Sequence, residues 1–345
     1  MKRRPAAPAR LPAVALLIAT LAAGAASRSE AGNPASTGIH LKVLFGRYLS
    51  FAPLAIAKAE HYFEAQGLDV ELVHMTGGGE ATPALIRGEL DVGAGMLRPA
   101  EFNAIARGAA IRIVADKSHY ESGPCVSAAL VARKEFLSAK RPDSPDHLRG
   151  ARVSATPLSF AEYVLETFLS SKGLRLSDLS VARLQDAVAA EALAEGSLDF
   201  FHLAEPFLTR TLRSGRVAVW KPVVEILPGG QLSTITYGPN LLTRNRDAGR
   251  RFMVAYVQGV RQYNRGKTAR NVDIISKETG LDPELVRDAC WESIRPDGMI
   301  NAESVLDFQR WAVRRGVLDA PLPPERFWDP SFLNEANKIL GPPAP

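Results

Sequence analysis

Thr76, Gly77, Gly78 and Gly79 stand directly ahead of a stretch with helical spacing, Glu80 to Arg87, which Gly88 closes. Bare backbone N–H groups at a helix start, backed by the positive end of the dipole, favour an anion. Glycine also lets a ligand approach the main chain. A flexible turn is the plainer account of the same residues. They are not a nucleotide loop: no Gly-Lys-Ser/Thr follows, and the chain has no GxGxxG. Arg47 and Arg98 carry the planar fork that grips a carboxylate or sulfonate bidentately. Their alternatives are a solvated surface position or an ion pair with Glu205 or Glu101. Glu205 can receive an ammonium or another N–H donor, or simply cap the helix that follows it. No known catalytic pattern is present. Six histidines form no HxxxH or HExxH, and there is no GxSxG. Cys125 and Cys290 have no obvious histidine partner. No catalytic residue, metal site or cofactor is therefore expected.

These side chains need elements to position them. "IHLKVLFG" reads as a strand closed by Gly46, and "PLAIAKAEHYFEAQG" as a helix with Pro53 near its start and Gly67 as its stop. "LDVELVHM" alternates like a strand. "LDVGAG" is a short buried strand, "RPAEFNAIARG" a helix and "AAIRIVAD" a further strand. Strands alternating with helices through short loops predict a parallel α/β sheet, with the loop after each strand on one edge. From "VSAALVARKEF" to "RVAVWKPV" the plan repeats. "ALIRGELD" at 84–91 and "ALAEGSLD" at 192–199 mark the same scaffold position twice: a helix, its glycine stop, then a buried strand. Neither Asp91 nor Asp199 is expected to touch a ligand. Beyond residue 247 the pattern turns helical, over 247–265, 268–279, 283–290, 302–315 and 331–340.

The 345 residues exceed one ordinary domain and suit two. Apolar residues make up 46% and charged residues 23%, a globular balance. The net charge of +5 is mostly a leader effect. Lys2, Arg3, Arg4 and Arg10 precede or open an apolar run from Leu11 to Ala26, with small residues offering cleavage after Ala25, Ala26 or Ala31. That is the layout of a secretory signal peptide, assigned to residues 1–31. Removing those four charges from +5 leaves a mature chain near +1, so no basic surface for nucleic acid is expected. A secreted setting permits a disulfide. The two cysteines are far apart and belong to no CxxC, so two buried free thiols are the favoured expectation over a bridge.

Longer stretches resemble the periplasmic solute-binding proteins of ABC importers, in the group that binds nitrate, sulfonates, taurine and thiamine precursors. "FAPLAIAKAEHYFEAQGLDVELV", "GGGEATPALIRGELDVG", "DHLRGARVSATPLSFAEYVLETFLSSKGL", "EALAEGSLDFFHLAEPF" and "GMINAESVLDFQRWAVRRGVL" carry the likeness, in that order, across roughly residues 40 to 340. The resemblance implies a two-lobed type II periplasmic-binding fold. Lobe 1 would be 39–125 plus 240–345 and lobe 2 would be 126–239, with strands near 126–132 and 234–242 crossing between them as a hinge. It implies ligand capture in the inter-lobe cleft by lobe closure, a monomer in the periplasm, and an ABC permease at the inner membrane as partner.

In such a fold the loops after the strands line the cleft. The expected ligand contacts are then Arg47, Tyr48 and Ser50 from the first loop, the Thr76–Gly79 turn, Met96 and Arg98 from the third, Thr156, Ser159, His202 and Glu205 from lobe 2, and Tyr237 from the returning strand. Tyr48 and Tyr237 are the preferred aromatic walls. Phe51, Phe200 and Phe201 are expected in the core, and a structural role is favoured for His202. The arginines and glycines favour an anion; Glu205 added to them favours a zwitterion. The solute is thus expected to be a small anionic or zwitterionic organic molecule. The alternative is a pyrimidine of the thiamine-precursor kind, or a related pyrimidine-synthesising enzyme, against which the leader argues.

Overall fold

The computed structural model describes residues 38–75 and 80–343. The leader expected over 1–31, and Thr76, Gly77, Gly78 and Gly79, lie outside the described residues. Runs of aliphatic and β-branched residues give ten strands: β1 (Ile39–Phe45), β2 (Leu68–His74), β3 (Val92–Met96), β4 (Arg112–His119), β5 (Ala128–Arg133), β6 (Arg152–Ser154), β7 (Ser180–Ala182), β8 (Phe200–Ala204), β9 (Val217–Pro222) and β10 (Gln231–Tyr237). They form two five-stranded sheets, ordered β2-β1-β3-β10-β4 and β7-β6-β8-β5-β9. In each sheet four strands run one way and one opposes both its neighbours, β10 in the first and β5 in the second. Both inserted strands are nearly or wholly buried along their length, as central strands covered on two faces must be. The architecture is the α/β, mostly parallel, two-sheet plan expected from the sequence. One boundary is corrected. Residues up to 239 were expected in the second lobe, but β10 is hydrogen-bonded between β3 and β4, so its sheet changes between Pro222 and Gln231.

The repeated octets now have a mechanical reason. Asp91 and Asp199 stand directly before β3 and β8, and each bonds to the parallel strand alongside, β1 and β6 respectively. The Asp91 backbone N–H donates to the Lys42 carbonyl while its carboxylate accepts the Lys42 N–H at 2.7 Å. Asp199 does the same with Arg152, at 2.7 and 2.8 Å. One aspartate per sheet thus closes a two-way backbone clamp where the strands start. The surrounding partners differ: Asn240 holds Asp91, whereas Arg133 and Arg152 hold Asp199.

The C-terminal helices cover the sheets. The Arg246–Tyr263 helix, capped by the Asn245 side chain, buries one face against the Ala52–Ala59 helix. Gly259 permits that approach, since a Cβ there would stand 2.3 Å from the Pro53 carbonyl oxygen. The Ala302–Arg314 helix reaches both sheet units. Its fully buried Phe308 meets Phe102 on one side and stacks on Phe160, with Tyr163 edge-on, on the other. Trp311 Nε1 donates to Glu166 at 2.6 Å, and Arg315 pairs with the same carboxylate.

The expectation of free thiols is also corrected. Cys125, between β4 and β5, is disulfide-bonded to Cys290, with Cα atoms 5.7 Å apart. Packing brings the 290 segment back over the crossover; sequence spacing carries no trace of that. Among the described residues no helix is long and apolar enough to cross a membrane.

Candidate functional site

A cavity of about 450 Å³ opens between the two sheet units. Thr82, Arg98, Pro99, Ala100 and Asn103 line it from one side, Pro157 and Leu158 from the other, and Val317 from the C-terminal region. This volume lies in the range of small-molecule sites. Arg98 is the one ionisable residue among those lining residues. It sits at the cap of the Pro99–Ala106 helix in an extended conformation, with Pro99 fixing the first turn. Its guanidinium has no hydrogen-bond or ion-pair partner among the described residues. Burial pushes the neighbouring Glu101 carboxyl up to about 7, against the opposing pull of Arg98. Near neutrality Glu101 therefore offsets only part of the arginine's charge. Asn103 donates to the Val317 carbonyl at 2.5 Å, which pins the cavity wall. Leu158 holds φ at +58°, a left-handed conformation that costs a non-glycine residue of order 1 kcal/mol or more and recurs at binding sites.

Other expected contacts sit elsewhere. Arg47 is exposed, with its guanidinium against Gly280, and does not line the cavity. Tyr48 bridges the two units: its hydroxyl donates to Asp186 at 3.4 Å and its ring stands edge-on to Phe207. Ser50 is buried and accepts from Lys117 Nζ at 2.8 Å. Met96, at the end of β3, and Thr156 are exposed beside the lining residues of their loops. Ser159 caps the Phe160–Ser171 helix by accepting from Glu162 N–H, and Glu162 returns the bond to Leu158 N–H. Two nominations are corrected on geometry. Tyr237 is no cleft wall: it is fully buried, donates to the Gly249 carbonyl at 2.7 Å and packs on Phe252 and Phe332. The alternation of β10 turns it toward the helices. Glu205 is 1% exposed, and its carboxylate is spent on Thr209 N–H, Thr209 hydroxyl and Cys290 N–H at 2.7–3.0 Å.

His202 is buried on β8 with Nε2 unpartnered, and burial alone lowers it from 6.5 to about 4. The unfolded histidine takes a proton below 6.5 while the folded one resists until about 4. Stability from this group is therefore complete above pH 6.5 and is lost as pH falls toward 4, by up to about 3 kcal/mol. His202→Gln is expected to reduce the loss of unfolding free energy between those values. Urea titrations at both ends of that window check it; an unchanged slope rejects the neutral buried histidine.

Sequence reasoning missed Thr82, Asn103 and Val317, which only tertiary packing gathers. It also missed Lys117, although a lysine inside the run "IRIVADKSHY" was a visible anomaly. Among the described residues no group of three or more His, Cys, Asp or Glu could hold a metal. The arrangement supplies one unpaired cation over largely apolar walls, which is suited to holding the acid group of a small organic molecule.

A family model described as NMT1-like matches residues 35–260. No curated protein matches the chain in sequence. Among solved structures, the ligand-binding component of an ABC-type import system from Staphylococcus aureus, with zinc bound, superposes with a TM-score of 0.71 at 17% identity, over 86% of this chain and 99% of that one. The periplasmic aliphatic sulphonate binding protein SsuA from Escherichia coli gives 0.66 at 17% identity, over 85% and 92%. The desulfurization enzyme DSZB gives 0.62 at 12% identity, over 88% and 99%. The two-lobed fold thus serves both import binding proteins and an enzyme.

Proposed function

The chain belongs to the NMT1-like family, and on that footing we propose that it is the extracytoplasmic substrate-binding component of an ABC importer. It captures a small organic anion, a carboxylate or sulfonate, between its lobes as a monomer in the periplasm and delivers it to a permease at the inner membrane. The observation that carries this is the unpaired Arg98 guanidinium, the one ionisable group lining a cavity of about 450 Å³ between the two sheet units. Arg98 can hold an acid group in bidentate fashion, and closure around the bound solute gives a permease a state to recognise. With Glu205 committed to Thr209 and Cys290, the support for a zwitterion weakens and a simple anion is favoured. A thiolate-based enzymatic role has less support, because both cysteines are joined in a disulfide and neither is available as a nucleophile. The lobes proposed are residues 39–125 with the chain from β10 onward, and the intervening chain from β5 to β9.

A thermal-shift screen of the mature protein against carboxylates, sulfonates, amino-sulfonates and pyrimidines tests the proposal. At about a hundred times Kd a true ligand adds about 2.7 kcal/mol of stability. Stabilisation by simple organic anions is expected. Stabilisation by pyrimidines alone, or turnover of a test substrate without saturable binding, sinks it.

A further inference from the structure

A second cavity, of about 380 Å³, opens beside the first. That volume also suits a small molecule. Pro157 is the one residue that lines both cavities, and Arg98 lines only the first. The second is built around β7 and its approach: Leu176 and Leu179 lead into the strand, Val181 lies on it and Arg183 follows it. Glu162, in the Phe160–Ser171 helix, and Arg315, just past the Ala302–Arg314 helix, supply the rest of the charged wall. The two cavities also flank one short segment, since Arg315 lines the second and Val317 the first.

The charged groups of this cavity are unequally committed. Arg315 is held in place: it pairs with Glu166 and lies 3.5 Å from Glu162 Oε1. Glu162 is 3% exposed, and its Oε2 accepts the Leu158 N–H at 2.6 Å. Arg183 is exposed and has no hydrogen-bond or ion-pair partner among the described residues. Two arginines against one glutamate leave the lining with one positive charge in excess. The apolar part is open as well. β7 is the edge strand of its sheet, paired with β6 alone, and Val181 is 40% exposed on it. We propose that this cavity is a second ligand site, for an amphipathic organic monoanion. Its acid group pairs with Arg183 within reach of the fixed Arg315, and its apolar body lies on Leu176, Leu179 and Val181. One excess positive charge matches one acid group, and Glu162 opposes a second. A cation is opposed by both arginines. Arg183 belongs to the second sheet unit and Arg315 follows a C-terminal helix, so an anion held between them ties the β7 edge to that helix. The site stands independently of the acid-binding role of Arg98.

The test uses the Arg98→Gln protein, in which the first cavity has lost its cation, and calorimetry at constant ionic strength. Hexanoate, hexanesulfonate and hexylamine are the probes. Saturable binding of at least one of the two anions is expected, and none of hexylamine. Adding Arg183→Gln should weaken that binding about tenfold or more. Val181→Asp should weaken it too, by setting a carboxylate on the apolar wall. Arg175→Gln, which removes an exposed arginine just outside the lining, should change it little. Arg183 is exposed and without a partner, so its replacement leaves the fold intact, and an unmoved unfolding midpoint verifies that. The proposal is overturned if neither anion binds, if hexylamine binds as well as they do, or if Arg183→Gln leaves the affinity unchanged. Equal losses from Arg183→Gln and Arg175→Gln also overturn it, because general charge attraction then accounts for the binding.

Discussion

Replacing Arg98 by glutamine is expected to weaken binding of a carboxylate or sulfonate solute by about thirty- to a hundred-fold, roughly 2–3 kcal/mol, with the unfolding midpoint unmoved. The two halves of that result have separate causes. A bidentate, charge-assisted pair becomes at best one neutral hydrogen bond, so affinity falls. No described residue depends on Arg98 for an ion pair, so the folded state loses nothing comparable. Its neighbour Glu101 feels the arginine's charge, but burial acts on that carboxyl more strongly. Arg47→Gln is the control: exposed and off the cavity, it should change affinity little. Calorimetry on both variants checks this. Equal losses for the two arginines would mean that general charge attraction, not a seated head group, drives binding.

Phe308→Ala is expected to cost about 3–5 kcal/mol in urea unfolding. The ring is fully buried and touches Phe102, Phe160, Tyr163 and Trp311, aromatic neighbours drawn from both sheet units and its own helix. Truncation leaves a void that three separate elements would have to close together, so relaxation is poor. Phe308→Leu should recover more than half of the loss. A cost below about 1 kcal/mol for the alanine variant would show that the helix is not fastened through this ring.

Much of the scaffold was legible. Glycine stops, proline starts and alternating strands gave the order of elements, and the paired octets announced two equivalent units because Asp91 and Asp199 do the same backbone work. The third loop was legible as well, with Arg98 facing the cavity. The rest depended on information a linear chain does not display. Arg47 and Arg98 are the same residue type in equivalent loops, and only the path of the chain separates solvent from cavity. Tyr237 lies on a strand buried on both faces, where alternation does not reveal which face meets ligand. Glu205 was balanced between capping and binding until Cys290 N–H appeared beside it.

The disulfide has a consequence for how the protein breaks. Cys125 and Cys290 are separated by 165 positions, and the interval holds every strand of the second sheet. The exposed Lys140 and Arg141 lie within it. A trypsin cut between them cannot release a fragment, because both pieces stay covalently joined through the bridge. The nicked protein keeps its full mass, and its two pieces part only when thiol reductant and denaturant act together. In a compartment rich in proteases, the second lobe is thus held like a link in a closed chain, where one cut opens the ring without dropping anything from it.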